Sequence, residues 1–329
     1  MLIQTLSEEP QGVDLFLPAG YDLLWSGAVL VGLVGLMGLG VAVVLLVRAA
    51  TRPTEPSLHG LAQEDPVRRA ARRHATTVSA AAVTAALLVG AVVAQAAATA
   101  VGGLAEGVLV GLSPAVVGLT FLGAHAVGER TWPRQRTAVR AATLRPRTVA
   151  DVAPRGLRRL AWSLGTLVVL LAVVGALTAG DDGRSVTRVA VDSASTASPY
   201  PGAFYGVWLA LAAVLVVAGA EGVLRLVARR PAVAQVDEAW DVALRRASAH
   251  RVLRGAQLAL GLTAAGMLGV GANAAARAGY PGAVVLVVVA VGLALATIAV
   301  AVRAAPDPDA WADEHASALT PTGRGHAVP

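Results

Sequence analysis

His125 and Glu129 stand four residues apart, as do Glu221 and Arg225. That spacing puts two side chains on one face of a helix. Each pair closes a long apolar run, "GAHAVGER" over 123–130 and "GAEGVLRL" over 219–226. A charge at a bilayer centre costs about 2.5–3.5 kcal/mol, so an ionisable group inside a span is by default a functional candidate. Two chemistries compete. His125 and Glu221 could face each other in a helix bundle as a proton relay or polar gate. Alternatively, both pairs lie close enough to the interface for their side chains to snorkel. Glu129 then holds His125, Arg225 holds Glu221, and each pair pins a helix end. The second reading is the expected one. A metal site needs a third ligand beyond His125 and Glu221, and none is evident.

Composition closes off other chemistries. The chain has 27 basic residues, all of them Arg, and neither Lys nor Cys. Without Lys there is no Walker A phosphate loop and no Schiff-base cofactor. Without Cys there is no disulfide, thiol nucleophile or thiolate metal site. No cofactor is expected. "GVGANA" (269–274) mimics a dinucleotide fingerprint, but no strand precedes it and it falls within an apolar run, so it is rejected. No Ser is marked as activated.

The elements that must position these residues are membrane spans. Of 329 residues, 56% are hydrophobic and only 15% charged, against about 25% charged in soluble domains. Mean hydropathy is +0.64. Runs free of Asp, Glu and Arg define seven segments, each with the roughly 20 apolar residues a crossing helix needs. The spans are placed at about 23–47, 76–98, 106–128, 159–179, 203–225, 254–275 and 281–303. Gly102-Gly103 and Glu106 divide the second from the third, with Glu106 at a helix N-terminus. Gln95 and Asn273 are expected to make interhelical hydrogen bonds. Residues 1–22 form an N-terminal segment carrying Glu8, Glu9, Asp14 and Asp22, unlike a signal peptide. Residues 304–329 read as a disordered tail.

Arginine placement gives the orientation. Six arginines lie between spans one and two, nine between three and four, and seven between five and six. The opposite side carries Arg184, Arg188 and Arg277. The positive-inside rule then puts the N-terminus outside and the C-terminus in the cytoplasm of a bacterial cytoplasmic membrane. The basic charge is accounted for by topology and by anionic lipid headgroups at the inner face, not by nucleic acid.

The chain also repeats itself. Tyr-Pro-Gly-Ala at 200 and at 280 opens two similar apolar segments, and "RGLRRLAWSLG" (155–165) parallels "HRVLRGAQLALG" (250–261). Spans four–five and six–seven are therefore read as copies of one helical hairpin, with spans two–three, entered by "RRAARRH" (68–74), as a third. The fold class is an all-α integral membrane protein of one helix plus three hairpins.

In "AVAQVDEAWDVALRRASAHRVL" (232–253), Val236, Trp240 and Leu244 recur at four-residue intervals on one helical face. Either an amphipathic helix under the bilayer or an extension of span six fits, and this face is the candidate site for a cytoplasmic partner. The stretch "GERTWPRQRTAVRAATLRPRTVADVAP" (128–154) resembles inner loops of uncharacterised multi-pass membrane proteins of high-GC actinobacteria. The resemblance implies a multi-pass membrane fold and transfers no activity or site residue. The functional expectation is a non-enzymatic accessory or partner-binding membrane component that engages an unidentified membrane or cytoplasmic protein. The alternative is a small permease with His125 and Glu221 as its gate.

Overall fold

The computed structural model describes residues 66–99, 104–132, 147–233 and 236–319. The N-terminal segment, the first span (23–47), the Gly102-Gly103 turn and the last residues of the tail lie outside the described residues. Within them run α1 (Pro66–Thr99), α2 (Leu104–Arg130), a single turn α3 (Val149–Val152), α4 (Arg155–Thr178), strands β1 (Val186–Val189) and β2 (Ala194–Ala197), α5 (Ala203–Arg229), α6 (Glu238–Arg277), α7 (Ala283–Val302) and α8 (Pro308–Leu319).

Six of these helices, α1, α2, α4, α5, α6 and α7, are long and apolar enough to cross a membrane. They coincide with the second to seventh expected spans. In lipid every backbone group must bond internally, which is why these runs are helical. Proline at 114 is the one interruption inside α2. It cannot donate to the carbonyl of Val110, and Ser113 Oγ donates to that carbonyl instead, at 2.7 Å.

The helices pack as hairpins, α1 on α2, α4 on α5 and α6 on α7, with α2, α4 and α5 also meeting α6. Burial identifies the centre: about half of the apolar window of α5 (50%) and of α6 (56%) is buried, against 11% for α1. The core where α2, α4, α5 and α6 meet is built from small and branched residues, among them Val168, Val216, Ala220, Leu224, Ala256, Leu260 and Ala264. Small side chains let helix backbones approach closely in a medium that offers no hydrophobic drive between helices. A Cβ on Gly118 would sit 2.5 Å from that of Ala259. Apolar side chains such as Leu88, Val92, Leu170, Leu177, Leu211, Val214, Val285 and Leu295 face outward around this core. An apolar girdle of that extent belongs against lipid, not water.

The interhelical amide bond inside the bundle comes from Gln257, whose Nε2 donates to Thr297 O at 3.2 Å and ties α6 to α7. Gln95 is exposed and Asn273 half-buried, and among the described residues neither side chain makes an interhelical bond. The two Tyr-Pro-Gly-Ala segments hold the same position, since Gly202 is the N-cap of α5 and Gly282 that of α7. Their backbones differ: Gly282 has φ 83°, a value that favours glycine, and Gly202 has φ −77°.

Two elements were not expected. Residues 186–197 form an antiparallel hairpin, Val186 paired with Ala197 and Val189 with Ala194. It caps the C-terminal end of α6 through Val186, Ala197, Ala274 and Ala278. Tyr280 Oη donates to Thr187 O at 2.9 Å, and the Arg277 guanidinium donates to Ser198 O at 2.5 Å. The second surprise corrects the disordered tail: Pro308–Leu319 is a helix docked on α6. Its composition is polar, but Ala312 is buried, and the indole of Trp240 donates from Nε1 to Asp309 Oδ1 at 2.8 Å.

Candidate functional site at the arginine-rich end

At 1.5 Å per residue the 40 residues of α6 reach about 60 Å, twice the roughly 30 Å of a hydrocarbon core. If its apolar half crosses lipid, residues 238–253 stand outside. This outer stretch of α6, with α8, α3 and the adjoining ends of α1, α2, α4 and α5, makes a polar platform at the arginine-rich end of the molecule.

Its buried centre is a charge network. Arg245, fully buried, donates from Nε to Asp241 Oδ2 at 2.9 Å, from Nη1 to the carbonyls of Val227 (2.8 Å) and Ala228 (3.2 Å), and from Nη2 to that of Arg230 (2.9 Å). The carbonyls of Val227 and Ala228 belong to the last turn of α5, where no intrahelical donor remains, and that of Arg230 to its C-cap. A cation there is also favoured by the helix dipole. Arg147 Nη1 reaches the same Asp241 oxygen at 2.8 Å, so one carboxylate serves two guanidiniums. Beside them Arg230 donates to Glu129 at 3.3 Å and lies 4.0 Å over the ring of Trp132.

This arrangement redistributes the partners expected from sequence. Glu129 does not hold His125; its cation is Arg230. Nor does Arg225 hold Glu221: Arg225 is exposed, while Glu221 takes a bidentate bond from Arg158 (2.7 and 3.0 Å) and a third from Trp162 Nε1 (3.0 Å). Both intrahelical pairs are thus replaced by bonds to another helix or to the chain just beyond one. His125 is buried, its ring edge-on to Phe121 at 4.6 Å, and lines a small cavity between α1, α2 and α6. Glu221, bonded to α4, does not line that cavity. The two groups therefore do not combine into one gate.

The partner face is also corrected. Trp240 and Leu244 are buried at 0% and 2% exposure, packed with Ala71, Ala75, Trp132, Val233 and Ala312, and Val236 is half-buried against them. The apolar stripe that looked like a docking surface is filled by α1 and α8 of the same chain. Arg68 closes it, lying 5.5 Å over Trp240 and bonding Asp237 at 2.9 Å, while Arg72 pairs with Asp309. What this end exposes is charged: Arg69, Arg73, Arg130, Arg155, Arg159, Arg225 and Arg229, beside the exposed carboxylates Asp237 and Glu238 at the start of α6 and Asp313 and Glu314 on α8.

Sequence reasoning missed Arg147, Arg158, Arg230 and Asp309. The four-residue spacing of Asp241 and Arg245 puts them on one helical face, and the structure pairs them, but nothing in that spacing reveals that Arg245 also caps α5. Among the described residues no group of three His, Asp or Glu could hold a metal ion.

The six apolar helices and the outward apolar girdle define a membrane-embedded, multi-helix protein. Comparison with protein-family models, with curated proteins and with solved structures finds no match to this chain.

Proposed function

We propose that this chain is a non-enzymatic accessory or partner-binding component of a bacterial cytoplasmic membrane. It crosses seven times, the N-terminus outside and the C-terminus in the cytoplasm. The observation that carries this reading is the contrast between the two regions of the molecule. The buried core between the long helices is mostly Ala, Val, Leu and Gly, while bonded polar side chains concentrate in the platform at the arginine-rich end. The positive-inside rule puts that platform in the cytoplasm. Its exposed arginines meet anionic headgroups and the acidic surface of a protein partner. Trp240 and Leu244 serve by shaping the platform from within.

Photo-crosslinkers placed at Arg73, Arg159 and Arg229 in intact cells test this reading. A discrete crosslinked protein, lost when the neighbouring Arg69, Arg155 and Arg225 become Glu, is expected. An impermeant thiol reagent should label a cysteine introduced at Asp192 from outside, and not one introduced at Glu238. Crosslinks to lipid alone, or labelling at Glu238, would overturn it.

The second reading, a small permease, draws support from the cavity beside His125. It requires flux through reconstituted vesicles that His125→Phe abolishes while leaving the protein folded.

A further inference from the structure

The balanced part of the platform is the Arg147–Asp241–Arg245 triad, where every guanidinium meets acceptors. Its neighbour is unbalanced. The Arg230 side chain has no exposure, makes one long bond to Glu129, and leaves Nε and Nη2 without an acceptor. Arg251 leaves Nε unbonded, and His125, 2% exposed, leaves Nε2 unbonded. These groups converge. His125, Glu129, Trp132 and Arg251 line one cavity together with His74 and Ser248. Arg230 does not line it but stands behind two residues that do, bonding Glu129 and stacking on Trp132.

Two guanidiniums and one carboxylate leave a net positive charge. Buried charge is tolerated where it is paired and hydrogen-bonded. The donors here, guanidinium N–H groups and an imidazole nitrogen, call for an anionic acceptor. Size narrows the choice: the cavity has room for about one water-sized body. A tetrahedral phosphate or a lipid headgroup is too large.

We propose that this cavity binds a single small halide, chloride in the cell, held by Arg251 and the Nε2–H of His125, while Arg230 offsets the charge of Glu129 from behind the lining. The cavity walls belong to three helices: His74 and Ser79 on α1, His125 and Glu129 on α2, Ser248 and Arg251 on α6. Among the long helices α1 packs chiefly on α2, so the anion supplies a second attachment that seats α1 against the centre of the bundle.

The test uses the full chain purified in mild detergent, with chloride exchanged for gluconate at constant ionic strength. Equilibrium binding of radioactive chloride is measured alongside the thermal unfolding midpoint. One chloride per chain, binding saturably and displaced by bromide, is expected, with the midpoint rising over the same concentration range. Arg251→Gln should weaken binding at least tenfold and abolish the chloride dependence of the midpoint, while Arg69→Gln, at an exposed site, changes neither. Should Arg251→Gln not fold, His125→Phe is the second variant, expected to weaken binding without removing a guanidinium. Absence of saturable binding to the folded wild-type chain overturns the proposal. So does competition by inorganic phosphate at equal concentration, or binding that survives both substitutions unchanged.

Discussion

Arg245→Met separates two roles that one side chain fills. Arg245 makes four hydrogen bonds, one to Asp241 and three to carbonyls at the end of α5. A bond that involves a charged group contributes about 1.5–3 kcal/mol. The Nη1 contact is divided between Val227 and Ala228, so the three carbonyl contacts count as roughly two independent bonds. Methionine keeps most of the packing and none of the donors. Asp241 keeps Arg147 as its cation, which limits the penalty for leaving that carboxylate behind. The expected cost is about 3 kcal/mol, the lower end of the range for breaking a buried pair by removing one partner. The loss falls where the carbonyls are, so amide exchange over residues 228–233 should accelerate more than roughly hundredfold, in purified protein followed by mass spectrometry. The Asp241→Asn background discriminates. Because most of the Arg245 bonds avoid Asp241, about 2 kcal/mol or more of the effect should persist there. Exchange within threefold of wild type, or an effect that vanishes in the Asp241→Asn background, would refute the capping argument.

Gly118→Val should destabilise the bundle by about 1–3 kcal/mol through overpacking against Ala259, whereas Gly222→Ala, with nothing within 4 Å of its added Cβ, should be neutral; detergent unfolding curves compare them. Glu221→Gln should cost about 1–2 kcal/mol in the same assay and shift Trp162 emission, because Arg158 is half-exposed and can turn to water; a fully silent substitution would deny the bidentate bond any weight. Asp182 accepts bonds from the backbone of Arg184 and Ser185 and from Ser185 Oγ, and these hold its carboxyl below the usual range. A depressed folded-state value means that its contribution is complete above the unfolded pKa of about 3.9 and fades as pH falls through the folded one. Exchange in the 180–185 loop should therefore be flat from pH 7 to 5 after correction for intrinsic rates and rise only below about 4, a rise that Asp182→Asn removes by opening the loop at every pH.

The long helices were legible because a bilayer imposes one crude requirement, about 20 apolar residues in a row, and "VSAAAVTAALLVGAVVAQAAATA" or "AVVLVVVAVGLALATIAVAV" meets it whatever the neighbours do. Partner choice was not legible, because it depends on which helices become neighbours. An i,i+4 rule correctly places Glu221 and Arg225 on one face of α5, but Arg158 and Trp162 of α4 reach that face from outside, and a bidentate bond outcompetes a flexible cation on the same helix. The same blindness turned Trp240 and Leu244 into a surface. A stripe at four-residue spacing says that something covers it and not what does. Here the cover was a helix read as a disordered tail, although "DPDAWADEH" already held its signals, a proline at the first helical position and an acidic residue in the first turn. The hairpin was missed for a related reason. A count of charge-free runs passes over Ser and Thr, so it gives no sign that "SVTRVAV" and "ASTA", whose β-branched residues favour a pleated ladder, pair as strands. Solvent rules thus located the oily elements, while the polar ones, whose places depend on a particular carbonyl or carboxylate across a gap, required the fold.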